Sequence, residues 1–253
     1  MSIDAIKSCA PNPAQDTIET VTLRRATLAD APALALTGAA TFLEAFTWML
    51  PGADILAHNR KHHTADAYTH YLADPNTRIT VAATAPAVGF PDEPGSIVGY
   101  VLLCTPELPT IDVLPTDIEL KRIYLFSRFR SAPVLDTAGA PIPSLRPAQA
   151  LMDAAVSDAR ALGASRLLLG THATNVRAIA FYHRNGFVQA GTRVFQVGNQ
   201  QCCDLIFAKH LATQPPTGAP GVELSCMLCC TSNYFPILTH AFRDPADIEI
   251  ISR

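Results

Sequence analysis

Gly170–Phe187 reads GTHATNVRAIAFYHRNGF, and it follows the apolar run Leu167–Leu169. A continuous apolar run of this kind suits a strand buried on both faces. Gly170, Thr171 and His172 lead into a turn. Asn175 is placed to cap the helix that follows, whose apolar positions Ile179, Phe181 and Tyr182 precede a stop at Asn185-Gly186. Asn175 and Tyr182 are about two helical turns apart and so share a face. That face sets an amide and a phenol beside a strand end, where open α/β sheets bind ligands.

Upstream, Ala148–Leu162 is the clearest helix, with Leu151, Met152, Ala155, Ala159 and Leu162 repeating at three and four before Gly163. Asp117–Leu125 is an apolar-rich strand. Strand, helix and strand (117–125, 148–162, 166–170) make a βαβ unit, so the two strands are expected to be parallel with a right-handed crossover. Arg78–Thr84 and Ile97–Cys104 are two further β runs joined by a proline-rich connection. Val21–Arg25 is a short first strand. Thr27 followed by Asp30 resembles a capping box that opens a helix running on to Met49. In that helix Phe42 and Phe46, four apart, are read as core packing. Ile55–Leu72 is a second helical region, and its His58, His62 and His63 are read as a solvated face rather than a metal site, because no third ligand spacing is in view. Val194–Gly198 and Cys203–Lys209 form a closing hairpin across Asn199–Gln201, with Cys202 and Cys203 as small packing residues.

The chain thus divides into a disordered leader (1–20), one α/β domain (21–211) and a linker with an unassigned tail (212–253). The tail holds Cys226, Cys229 and Cys230 without a second ligand pair, so no metal is expected there. With charged residues at 16% and hydrophobic ones at 49%, the chain has the composition of a folded domain. A net charge of -3 and the lack of a basic stripe argue against nucleic-acid and anionic-membrane partners. No run of about twenty apolar residues exists to span a membrane. Seven unevenly spaced cysteines fit a reducing, cytoplasmic setting better than a disulfide framework.

The pattern N-x-R-A-I-x-F-Y-x-x-x-G-F, present as Asn175, Arg177, Ala178, Ile179, Phe181, Tyr182, Gly186 and Phe187, resembles the signature of the GCN5-related N-acetyltransferase (GNAT) family. The strand Glu119–Leu125 is similar to that family's acetyl-CoA-binding strand, and Gly191–Leu211 resembles its closing hairpin, nearest in pattern to the polyamine acetyltransferase-like subgroup. The resemblance covers roughly residues 20–211. It implies a mixed, mostly antiparallel sheet with a central splayed parallel strand pair and flanking helices. It also implies transfer of acetyl from acetyl-CoA to a primary amine, a small amine or polyamine favoured, by direct attack. No cysteine lies in a motif that would make it a nucleophile.

The same resemblance implies site residues. The backbone of Ile123, Tyr124 and Leu125 would hold the cofactor's pantetheine arm, with Asn175 contacting that arm or an ordered water. Tyr182 would protonate the leaving thiolate, since a phenol's pKa near 10 lies close to a thiol's. Glu119 is the candidate base and Asp117 the reserve. The family's glycine-rich pyrophosphate turn is replaced by a proline-rich segment that ends at Arg146, Pro147 and Ala148. Pro147 has no N–H to donate. Three readings stay open: Arg130 and Arg146 supply charge in place of backbone donors, the segment folds outward and weakens the site, or it reflects how the coding sequence was assembled. A cofactor-impaired scaffold and a protein or peptide N-acetyltransferase are the alternative functions. The oligomeric state is open, a homodimer included.

Overall fold

The computed structural model describes residues 19–211, apart from 88–89, 109 and 198. The expectations for the leader up to residue 18 and for the tail from residue 212 fall outside the described residues. In chain order come β1 (Val21–Arg25), α1 (Ala31–Phe46), α2 (Gly52–His62), α3 (Ala65–Ala73), β2 (Arg78–Thr84), β3 (Ile97–Cys104) and β4 (Asp117–Leu125). There follow β5 (Val134–Leu135), α4 (Pro147–Ala161), β6 (Arg166–His172), α5 (Val176–Arg184), β7 (Val188–Val197) and β8 (Gln200–His210).

All eight strands join one sheet in the order β5-β1-β2-β3-β4-β6-β8-β7. Its pairings are antiparallel except β4–β6 at the centre and β1–β5 at one edge. The expected mixed, mostly antiparallel sheet with a central parallel pair is therefore the observed one. Helices cover both faces. On one face α4 and α5 bury Leu151, Met152, Ala155, Phe181 and Tyr182 against Ile118, Leu120, Ile123 and Leu125 of β4. On the other, α1–α3 bury Leu34, Phe42, Phe46 and Tyr68 against Val81, Tyr100, Leu102 and Tyr124. The apolar burial on both faces supplies the main driving force for this three-layer arrangement.

Local chemistry sets the element ends. The Thr27 N–H donates to Asp30 Oδ2 at 2.8 Å, as a capping box does. The Thr64 hydroxyl caps α3 by accepting from the Ala67 N–H. This second cap divides the expected single helical region 55–72 into α2 and α3. Gly186, at φ +78°, supplies the left-handed residue that ends α5 and turns the chain into β7. The closing hairpin is longer than its sequence suggested: β7 and β8 pair from Val188 with Ala208 to Val197 with Gln200. Within it Cys202 is buried, but Cys203 is exposed and is not a packing residue.

The proline-rich segment after β4 packs along the sheet edge. Its residues Val134 and Leu135 add a short parallel strand beside Val21 and Thr22 at the sheet edge. Ala132 and Val134 bury themselves in the core under α4.

Candidate active site

The parallel ladder between β4 and β6 is short. It comprises three register pairs: Asp117 with Arg166, Ile118 with Leu167 and Glu119 with Leu168. Beyond Glu119, β4 continues to Leu125 and β6 to His172 without further pairing to each other. Their outer edges stay occupied, since Ile123, Tyr124 and Leu125 pair with Val101, Tyr100 and Gly99 of β3, and Leu169–His172 pair with β8. The two central strands therefore part, leaving strand-edge backbone groups on both sides of the gap. Buried backbone groups of this kind demand partners.

A β-bulge decides which side chains meet at this parting. Leu102 pairs with Arg122 while Leu103 pairs with Leu120, so Lys121 is an extra residue on β4. Strict alternation would put Glu119 with Ile123 and Leu125. The bulge instead sets Glu119, Arg122 and Tyr124 on the face of α1–α3, opposite Cys104, Leu102 and Tyr100.

Glu119 is wholly buried. Its Oε2 accepts the Glu107 N–H at 2.7 Å, and its Oε1 has no hydrogen-bond partner among the described residues. Lys121 Nζ lies 3.8 Å from Glu119 and 2.7 Å from the Glu107 carboxylate. Burial works against the charge of Lys121, but the carboxylates of Glu119 and Glu107 outweigh it and hold its pKa above the ordinary value. Asp117 is differently employed. Burial pushes its carboxyl up, yet Arg166, 2.6 Å away, and the Leu114 N–H more than reverse that and hold it below the usual range. Asp117 is thus fixed to Arg166 at the closed end of the β4–β6 ladder.

On the far side of the gap, the Asn175 side chain caps α5, accepting from the Ala178 N–H at 3.1 Å. Asn175 also lines a cleft of about 140 Å³ with Ala45, Phe46, Trp48 and Met49 from the end of α1. Tyr182, seven residues on, is fully buried and packs its ring 5.9 Å from Phe187 and 6.2 Å from Phe207. Asn175 thus borders open space, while Tyr182 enters the α4–α5 face of the core.

At the head of α4, Arg146 occupies the N-cap position in an extended conformation and Pro147 the first turn. Arg146 Nη1 donates to the Ser131 carbonyl at 2.8 Å, which pins the end of the proline-rich segment to its beginning. The first amides of a helix have no intrahelical acceptor, so Ala148 and Gln149 present N–H groups here while Pro147 presents none. Arg130 follows a 3-10 turn (Ser127–Phe129), whose Ser127 N–H and hydroxyl donate to Glu44 of α1.

The histidines of α2 and its end correct the sequence reading. His58 and His63 are buried, not solvated. His58 stacks on Phe42 with ring centres 4.1 Å apart, and His63 Nδ1 is hydrogen-bonded to the Tyr68 hydroxyl at 2.9 Å. That hydroxyl in turn bonds the hydroxyl of Tyr100. Burial, then the nearby Arg122 guanidinium, push the His63 pKa down to about 2 and the His62 pKa down to about 4. The imidazoles stay neutral at ordinary pH. Sequence reasoning also passed over Arg122. Two adjacent cations, Lys121 and Arg122, inside an otherwise apolar strand were the available signal.

Comparison with known proteins agrees with this architecture. Residues 148–187, which span α4, β6 and α5, match the model of the acetyltransferase (GNAT) family. Uncharacterised N-acetyltransferases of Mycobacterium bovis and of Mycobacterium tuberculosis H37Rv are each 28% identical over 184 residues, covering 73% of this chain and 99% of the relative. The crystal structure of a GCN5-related N-acetyltransferase from Rhodopseudomonas palustris shares the fold with a TM-score of 0.51 at 16% identity, covering 77% of this chain and 98% of that one. Across the α4–β6–α5 unit the chain thus matches the GNAT family model, and over nearly the whole length of the relatives it is similar to N-acetyltransferases.

Proposed function

We propose that this protein transfers an acetyl group from acetyl-CoA to the primary amine of a small molecule by direct attack, at the parting of β4 and β6. The observation that carries the reading is the end of the β4–β6 ladder at Glu119, with a buried carboxylate oxygen left open beside it. The edge of β4 at Ile123–Leu125 that faces β6 suits an amide-bearing pantetheine arm, which would add to the sheet as a strand does. Acetyl-CoA supplies the activated acyl group. Asn175 orients the arm from the rim of the α1–α5 cleft. The amides of Ala148 and Gln149, with Arg130 and Arg146 nearby in sequence, form the phosphate end of the site. Helix N-termini favour anions.

Glu119 takes the proton of the attacking amine as the nitrogen–carbon bond forms. Tyr182 gives its proton to the departing thiolate as the carbon–sulfur bond breaks. A positioned acid or base contributes roughly 10²- to 10⁴-fold to a rate of this kind. The acceptor enters from the α1–α3 face, which the β7–β8 hairpin closes by donating the Asn199 N–H to Asp54 of α2 at 3.0 Å. Polyamines are one class of acceptor for such a site.

Thermal unfolding with and without acetyl-CoA, followed by release of free CoA thiol over a panel of amines, tests the reading. A ligand present at 100 times its Kd stabilises the folded state by about 2.7 kcal/mol. A clear rise in Tm with amine-dependent thiol release is expected. A chain that neither gains stability from acetyl-CoA nor releases thiol is instead the scaffold that its glycine-poor phosphate turn would allow.

A further inference from the structure

Arg122 is 4% exposed, and no carboxylate lies within ion-pairing distance of it among the described residues. Its guanidinium sits 5.5 Å from the ring centres of both Tyr68 and Tyr71, and its Nη2 reaches the His62 carbonyl at 3.4 Å. Its Nη1 is buried without a hydrogen-bond partner. Lys121, the neighbouring cation, occupies the nearby carboxylates of Glu107 and Glu119. Two cation–π contacts offset only part of the hydration that a buried guanidinium loses. An arginine does not shed its proton to escape that loss. The rings therefore leave the charge only partly compensated, and a buried charge of this kind calls for an anion.

The bulge at Lys121 places this guanidinium on the same face of β4 as the open Oε1 of Glu119, three residues away, on the side opposite α4. A proton acceptor and a fixed cation thus lie on one face of β4, beside the point where β4 and β6 part. We propose that Arg122 binds the carboxylate of the acceptor, so that the acceptors of this enzyme are amino acids: primary amines that carry a carboxylate. The proposal rests on the acetyltransferase reading of the same site. It also selects within it, because a polyamine brings no anion to Arg122.

The test compares amino acids with their carboxamides, and with spermidine, in the wild-type protein and in Arg122→Gln and Arg122→Lys. A hydrogen bond to a charged group is worth about 1.5–3 kcal/mol, or roughly 10- to 150-fold. Wild-type kcat/KM is expected to favour the acid over its amide by about that factor. Arg122→Gln should erase the preference through KM, and Arg122→Lys should keep part of it. In a separate arm without acetyl-CoA, the free amino acid should raise the wild-type Tm and its amide should not. This arm stands even if Arg122→Gln fails to fold. Stabilisation by the amino acid without acetyl transfer would remove the acetyltransferase reading and leave the Arg122 site in place. Equal use of acid and amide, preference for spermidine, or loss of CoA-induced stabilisation in Arg122→Lys would overturn the proposal; the last of these would assign the anion to the cofactor.

Discussion

Glu119 of β4 and Leu168 of β6 are the last register pair of the parallel ladder; beyond them β4 pairs with β3 and β6 pairs with β8, and the two strands no longer pair with each other. A gap of this kind inside a sheet is costly unless something with its own donors and acceptors fills it. Hydrogen exchange will show what fills it. Acetyl-CoA is expected to slow exchange of amides in residues 120–125 of β4, and to leave β1 and β2 unchanged. Uniform protection across the sheet, or none at β4, would remove the strand gap as the cofactor site.

Glu119→Gln separates catalysis from structure. The amide keeps an oxygen to accept the Glu107 N–H and adds no volume to a fully buried position. It has no proton affinity to offer an amine. A fall of about 10²-fold in kcat/KM near neutral pH is expected, within the usual range for general bases. The defect should shrink as pH rises and more of the amine is already neutral. The stabilisation given by acetyl-CoA should persist. Wild-type turnover in the variant would return Glu119 to a purely structural role.

Tyr182→Phe is the matching probe on the acid side. Its ring lies in the core against Phe187 and Phe207, which phenylalanine satisfies equally well. Stability should therefore change by no more than about 1.5 kcal/mol, as for volume-conserving core swaps. The expected signature is a kcat reduced by about 10²-fold with KM nearly constant, the pattern of an interaction made only in the transition state. A steady-state titration in acetyl-CoA at saturating amine reads this, and an unchanged kcat would exclude Tyr182 as the acid.

Much of this arrangement was legible in the chain. The βαβ unit, the Asn175 cap and the two strands 78–84 and 97–104 follow from periodicity and punctuation, because their burial agrees with their local sequence. What escaped depends on contacts between distant segments. His58 and His63 look polar on α2, yet Phe42 and Tyr68 cover them. Arg122 sits on the α1–α3 face only because the bulge at Lys121 shifts the register, and one strand read alone cannot show that. The path of residues 131–146 depends on the pairing of Val134 and Leu135 with β1 at the sheet edge, a contact that the segment read alone cannot show.

Gly38 shows how tightly α1 is set against the buried tyrosines. A Cβ at this position would come inside 3.0 Å of His63 Nδ1 and of the Tyr68 and Tyr100 hydroxyls. Alanine in a helix interior ordinarily stabilises by about 1 kcal/mol over glycine. Here overpacking costs about 1–3 kcal/mol or more, and the displaced atoms belong to a hydrogen-bonded chain rather than to flexible side-chain ends. Gly38→Ala is therefore expected to lower stability despite its helix propensity. Urea unfolding checks the sign, and a gain would show that the chain of hydroxyls yields easily.

The same cluster predicts an acid response. His63 has a folded pKa of about 2, depressed by burial and by Arg122, against an ordinary value of 6.5. Between those values the unfolded chain binds a proton at this residue that the folded chain does not, so stability rises with pH. The contribution is complete above about pH 6.5 and is lost progressively as the pH falls toward 2. Each such group gives a slope of about 1.4 kcal/mol per pH unit inside its window. Its neighbour His62, with a folded pKa of about 4, adds a weaker, solvent-screened contribution over the upper part of the same range. Tm measured from pH 7.5 down to pH 4.5 should fall steeply below pH 6.5. His63→Gln, which offers a neutral partner to the Tyr68 hydroxyl without a basic group, should flatten that slope even if it lowers Tm at pH 7.5. An equally steep profile in the variant would place the acid sensitivity outside this cluster.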